Sequence, residues 1–185
     1  MIVLWYSTLL LGLAFGLSAL AGVLWFFRMP DAGEASKVIP RLVSLTYVVV
    51  YGGALIAAWF SRSRGPHTLS SVGLVFSLSL FWSAWFAHGI QRPNAIGLPQ
   101  PAEDICQRGP YRFIRHPFYA SYILGASSLL LHSIPIWVAT GVVVVIAMYW
   151  REARSEERKI LPSSLGPTYQ EYVNRTGMFF PRIIC

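Results

Sequence analysis

Four long runs of the chain contain no Asp, Glu, Lys or Arg: Ile2–Phe27, Leu42–Ser61, Thr68–Gln91 and Phe118–Trp150. A helix needs about 20 apolar residues to cross the hydrocarbon core of a bilayer. Each of the first three runs therefore predicts one membrane-spanning helix. The fourth has 33 residues, which would extend about 50 Å as a single helix, well beyond the core. Ser133-Ile134-Pro135 falls near its middle, where proline removes a backbone donor and clashes with the preceding turn. The run predicts a hairpin of two helices and a total of about five spans.

Basic residues decide between one span and two in that last run. With a hairpin, one side of the membrane holds the 28–41 loop, the 92–116 loop and the tail from Arg151, and with them 13 of the 15 Lys and Arg. The other side holds only Arg62 and Arg64. With a single span the two sides are nearly balanced, at 7 and 8. The excess of basic residues in cytoplasmic loops favours the lopsided arrangement. The N-terminus is then outside, the C-terminus is cytoplasmic, and all eight acidic residues lie inside.

Composition agrees with an all-α integral membrane protein. Hydrophobic residues make up 55% and charged residues 12%, against about 25% charged in an ordinary soluble domain. The net charge of +7 follows from loop topology and does not call for a nucleic-acid partner. Cys106 and Cys185 are too few for a disulfide framework, and Cys185 lacks the three following residues of a prenylation box. No basic region precedes the first apolar run, so it reads as a retained span rather than a signal peptide. Residues 1–185 form a single membrane domain, with three spans in 1–91 and a second part, 92–185, made of a loop, the hairpin and a tail. Gly52-Gly53 and Gly73 are small residues that permit close helix packing. No metal-binding spacing or Gly-rich phosphate loop is present. His88 and His132 read as interfacial or solvated residues near span ends.

Polar residues gather in two places. Gly109-Pro110-Tyr111-Arg112-Phe113-Ile114-Arg115-His116-Pro117-Phe118-Tyr119 follows the Pro- and Gly-rich loop 92–110 and enters the fourth span. By itself it suits an interfacial anchor, with snorkelling Arg, a belt Tyr and a helix-starting Pro. Arg115 and His116 also stand at a helix N-terminus, where backbone N–H groups favour anions. Arg151-Glu152-Ala153-Arg154-Ser155-Glu156-Glu157 leaves the fifth span, and alone it suits a solvated helix face. That helix continues out of the membrane until Pro162 and Gly166-Pro167 interrupt it. The hairpin returns both clusters to one membrane face, where fixed cations and carboxylates match a zwitterionic amino acid group. Both clusters sit at a wet helix end, so substitutions there are expected to leave the fold intact.

The block Gly-Pro-Tyr-Arg-x-x-Arg-His-Pro-x-Tyr, the apolar hairpin, Glu156-Glu157 and Leu165-Gly166-Pro167-Thr168-Tyr169-Gln170-Glu171-Tyr172 with Phe180-Pro181 resemble the isoprenylcysteine carboxyl methyltransferase family. Membrane phospholipid N-methyltransferases share much of this pattern. The resemblance covers Gln107–Pro181. It implies S-adenosylmethionine held at the cytoplasmic end of the last two helices. Tyr111, Arg115, His116, Pro117 and Tyr119 would contact it, and Glu157 with Glu156 would hold its polar groups. Arg151 or Arg154 matches a basic residue that orients substrate. Two departures stand out. Family members usually place the Glu pair one residue closer to the following Leu-Gly, so Glu157 matches the first Glu and Arg158 the second unless Pro162 marks an insertion. Residues 92–108 also lack the Gly-x-x-Trp pattern common upstream.

The reaction implied is direct displacement at the methyl carbon. A carboxylate acceptor needs no base, only a cation to orient it, and Arg112, Arg151 or Arg154 could serve. A membrane setting favours a lipid-linked or apolar acceptor. Three other readings stay open: a phospholipid N-methyltransferase, a sterol-type reductase with a nicotinamide cofactor, and a non-enzymatic scaffold.

Overall fold

A computed structural model describes residues 2–22, 34–61, 67–88, 105–131 and 136–182. Among these the chain forms six α-helices and no strand: α1 (Ile2–Ala21), α2 (Glu34–Ser61), α3 (His67–His88), α4 (Pro117–Leu130), α5 (Ile136–Ile160) and α6 (Gly166–Arg175). A short 3-10 turn, Gly109–Arg112, precedes α4. Four of the helices, α1, α2, α3 and α5, are long and apolar enough to cross a membrane. Their outer faces expose Leu10, Leu17, Val49, Phe76 and Val143, as lipid-facing helices do. The chain is a helical multi-pass membrane protein. Arg62, Arg64, His132, the Ser133-Ile134-Pro135 break, most of the 92–108 loop and Cys185 lie outside the described residues.

The hairpin is present as two helices, α4 and α5, that pack on each other. They are unequal. α4 has 14 residues and buries ten of them, so it extends only about 21 Å. It packs against α3 above all, and also touches α1, α2 and α5. A helix surrounded by protein need not match the thickness of the lipid. α2 also differs from expectation. It begins at Glu34, so much of the expected 28–41 loop is helical, because helix can continue past the apolar stretch.

Water does not drive helices together inside lipid, so close approach and hydrogen bonds must. Here Ser77 Oγ donates to the Ser121 carbonyl at 2.7 Å, joining α3 to α4. Thr8 and Ser71 hydroxyls meet at 2.8 Å between α1 and α3. Trp5 Nε1 donates to the Ala58 carbonyl at 3.2 Å between α1 and α2. Gly73 permits the α3–α4 approach, since a Cβ there would lie 2.2 Å from Ser128 Oγ. Gly53 faces the Trp137 ring in the same way, at 3.1 Å. Gly52 does not fit the packing expectation, because a Cβ there meets nothing within 4 Å. Between the helices lies an aromatic core of Phe15, Tyr47, Tyr51, Phe81, Tyr122 and Tyr149.

Candidate functional site

The first polar cluster is built on a turn that locks onto α3. Gly109 has φ +53°, a left-handed conformation open to glycine at little cost. A Cβ at Gly109 would also press within 3.2 Å of Ala87. Two residues on, the Tyr111 hydroxyl meets His88 Nε2 at 2.9 Å, and the Tyr111 carbonyl accepts from the Tyr172 hydroxyl at 2.7 Å. Burial pushes the Tyr111 phenol well above its ordinary range. Tyr111 thus ties α3, the turn and α6 together. His88, read from sequence as an interfacial residue, is one side of that knot.

Residues 113–116 then pair with the tail through main-chain hydrogen bonds. Gly177 N donates to the Phe113 carbonyl at 3.1 Å, Arg115 N to Gly177 at 2.8 Å, and His116 N to Met178 at 3.1 Å. Ile114 and Gly177 form an isolated parallel bridge. A Cβ at Gly177 would fall 1.7 Å from the Phe180 carbonyl oxygen, so only glycine lets the tail turn there. The backbone of Arg115 and His116 is therefore fixed by residues 62 positions further on, Gly177 and Met178. α4 starts immediately afterwards, with His116 as its flanking residue and Pro117 in its first turn.

The second cluster arrives on α5. Arg115 Nε donates to Glu157 Oε1 at 2.8 Å. His116 Nε2 lies 3.2 Å from the same oxygen, and His116 Nδ1 lies 3.5 Å from Glu156 Oε2. The Tyr119 hydroxyl donates to Glu156 Oε1, and the Tyr119 ring stacks on His116 with centroids 5.4 Å apart. The Arg115 guanidinium also donates to the Val173 and Thr176 carbonyls, where a cation suits the C-terminal end of α6. Phe179 meets the His116 ring edge-on, with centroids 6.2 Å apart. Arg115 and Glu157 side chains are only 8% and 12% exposed. The expectation of a wet helix end is thus corrected: tail, turn and α5 enclose these groups. The apolar part of α5 ends at Trp150, so Glu157 lies beyond it. Burial pushes the Glu157 carboxyl up, but hydrogen bonds from His116 and Arg115, with their charges, outweigh burial and hold it below its ordinary value.

Arg115, His116, Tyr119, Glu156 and Glu157 come together as the two-cluster reading expects, with Pro117 buried beside them. Tyr111 sits apart in its knot with His88 and Tyr172. Arg112, Arg151 and Arg154 are exposed. Arg154 lies over the Trp150 ring at 5.0 Å, and helical spacing sets Arg151 and Arg154 on the face of α5 opposite Glu152 and Glu156. Glu152 was passed over at the sequence level, yet it is buried at 6% exposure. Its position four residues before Glu156 was the available signal.

An apolar cavity of about 690 Å³ adjoins the cluster, lined by Phe113, Ile114, Ala120, Leu124, Phe179 and Phe180 among others. In the segment paired with the tail, Ile114 faces this cavity while Arg115 faces the carboxylates. Arg112 precedes Phe113 in the chain and is exposed. Among the described residues no group of three or more His, Cys, Asp or Glu side chains is arranged to hold a metal ion.

No family model matches the chain, and no solved structure matches it. The chain is similar to the cobalt-zinc-cadmium resistance protein CzcN of Cupriavidus metallidurans, at 36% identity over 76 residues. That stretch is 40% of this chain and 34% of the relative, so the match spans about a third of that protein's length.

Proposed function

We propose that the chain is an S-adenosylmethionine-dependent membrane methyltransferase with a lipid-linked or apolar acceptor, most readily the carboxyl group of an isoprenylcysteine-like substrate. The observation that carries this reading is the meeting of Arg115 and His116 with Glu156 and Glu157 across the α4–α5 hairpin. The donor set fits the amino acid end of the cofactor. Arg115 and His116 would take its carboxylate, and Glu156 or Glu157 its ammonium group. A zwitterion exchanges each internal pair for an external one, so no buried charge is left unpaired. When bound, the cofactor supplies a methyl carbon on a cationic sulfur, which the acceptor oxygen takes as the carbon–sulfur bond breaks and its electron pair stays on sulfur.

The chain's own part is orientation and exclusion of water. The apolar cavity beside Ile114 suits the hydrocarbon part of an acceptor. Arg112, next in the chain to the cavity residue Phe113, is the cation assigned here to orient an acceptor carboxylate. Arg151 and Arg154 face away from the cluster and would serve only a substrate that reaches around α5. The topology belongs to the same proposal. α4 is the fourth of five spans, the N-terminus is outside, and the site and α6 are cytoplasmic, as the 13-to-2 split of basic residues favours.

The test is to incubate the purified protein with a membrane lipid extract and S-adenosylmethionine labelled in its methyl group. Label should enter the lipid fraction and be released by mild base, as a carboxyl methyl ester is. Base-stable label on amine headgroups would select the phospholipid N-methyltransferase instead. NADPH binding without S-adenosylmethionine binding would overturn the proposal in favour of a reductase. Binding of neither would leave a scaffold.

A further inference from the structure

Three arginines that the charged cluster does not use lie together on the outer face of α5. Arg151, Arg154 and Arg158 are exposed, and at about 100° of turn per residue they fall within about 60° of one another. Ile136, Val143, Ala147 and Trp150 share that face in the preceding turns and are exposed too. The basic stripe thus continues a lipid-facing surface without a break. Trp150 closes the apolar run, and tryptophan favours the membrane–water interface. The Arg154 guanidinium lies over the Trp150 ring, 5.0 Å from its centroid, a contact that holds the cation at that level. Glu152 and Glu156 occupy the other face of the helix, and Glu157 is turned to Arg115 and His116. Among the described residues no carboxylate pairs with Arg151, Arg154 or Arg158.

We propose that this stripe binds the headgroup of an anionic phospholipid. A guanidinium matches phosphate oxygens with two parallel N–H donors. Arg151 and Arg154 are about 4.5 Å apart along the helix axis, so both reach one phosphodiester. Arg158 stands about 10 Å beyond Arg151, toward the outer end of the headgroup. It would repel a choline or ethanolamine cation there and would not repel a neutral glycerol. The stripe therefore selects the net charge of the lipid and not its phosphate alone. The acyl chains then lie along Trp150, Ala147 and Val143. A lipid held in this way fixes the level at which α5 leaves the bilayer, and with it the level of Glu156 and Glu157 on the other side of the helix. The proposal rests on α5 crossing the membrane and does not depend on methyl transfer.

The test is native mass spectrometry of the purified full chain in detergent, with equimolar phosphatidylglycerol and phosphatidylcholine of identical acyl chains. Protein carrying phosphatidylglycerol should exceed protein carrying phosphatidylcholine by about tenfold. Arg151→Gln and Arg154→Gln should each lower that ratio about threefold to fivefold, and the double variant should bring it close to unity. Arg108→Gln with Arg175→Gln removes the same charge from two exposed positions elsewhere and should leave the ratio intact. Every substituted side chain is exposed, so all variants should keep the wild-type melting midpoint. Excess glycerol 3-phosphate should not displace phosphatidylglycerol, because it lacks the chains that lie along α5. A wild-type ratio near unity, or a ratio indifferent to the Arg151 and Arg154 exchanges, would overturn the proposal. Equal loss in the two double variants would replace the site with diffuse attraction to net charge. Displacement by glycerol 3-phosphate would overturn the assignment to a lipid.

Discussion

Removing the Glu157 carboxylate tests the enclosed charge cluster most directly. Glu157 Oε1 is the shared acceptor of Arg115 Nε at 2.8 Å and of His116 Nε2 at 3.2 Å. Glu157→Ala leaves the Arg115 guanidinium, 8% exposed, without that carboxylate and still donating to the Val173 and Thr176 carbonyls. Breaking a buried pair from one side costs about 3–5 kcal/mol. For a chain of this size that is a fall in melting midpoint of roughly 6–20 °C. Glu157→Gln keeps an acceptor oxygen and loses the charge. It exchanges a charge-assisted bond for a neutral one, about 1–2 kcal/mol, or roughly 2–8 °C. The assay is thermal unfolding in detergent, followed by tryptophan fluorescence, with S-adenosylmethionine affinity measured by calorimetry on each folded variant. Under the proposed function, Glu157→Gln and His116→Ala should each weaken that affinity about tenfold or more. Glu156→Gln should cost less stability, because Glu156 is more exposed and its nearest His116 contact is longer, at 3.5 Å. If Glu157→Ala melts with the wild type, the pair is a solvated helix face and the enclosed cluster is wrong. If Glu156→Gln is the more harmful exchange, the two carboxylates have the opposite ranking.

Acid should weaken the same cluster. The Glu157 carboxyl is held below its ordinary value of 4.5, so its stabilisation is complete above that pH and is lost as pH falls through the lower folded value. A melting profile from pH 6 to pH 3 should show this loss in the wild type and not in Glu157→Gln; parallel profiles would exclude it. Gly73→Leu forces a Cβ to within 2.2 Å of Ser128 Oγ and should cost about 1–3 kcal/mol by overpacking. Gly52→Leu should melt like the wild type, and equal melting of the two variants would refute the helix contacts given for them. Cys106 and Cys185 should resist an impermeant maleimide in intact cells and react after permeabilisation, Cys106 slowly because it is half-buried. Labelling of Cys185 in sealed cells would overturn the proposed orientation.

The membrane helices were legible because apolarity over some 20 residues is a strong local signal. The ends of α2 and the short reach of α4 were not legible. A helix start depends on backbone bonds that charged residues such as Glu34 and Lys37 do not prevent. The length an inner helix needs depends on its neighbours, which no local pattern records. Gly73 and Gly52 look alike in sequence, yet one meets Ser128 and the other faces an open cleft. In the candidate site, Arg115, His116, Glu156 and Glu157 could be grouped in advance, because a hairpin must return the chain to its starting face. Their burial could not. It comes from Thr176–Phe179, which pairs with 113–116 through main-chain bonds that leave no mark on residue type.

That tail pairing joins the two ends of the second part of the chain into one unit. Arg115 holds Glu157 with one edge of its guanidinium and the end of α6 with another. The Tyr172 hydroxyl holds the turn that leads to Arg115. The tail is therefore a wall of the cluster rather than a loose extension, and Phe179 faces both the His116 ring and the apolar cavity. A ligand bridging the charged cluster and that cavity has to pass this wall or displace it. Under the proposed function, Gly177→Ala, whose Cβ would fall 1.7 Å from the Phe180 carbonyl oxygen, should therefore lower both the melting midpoint and the S-adenosylmethionine affinity, although this residue has no side chain to offer any ligand.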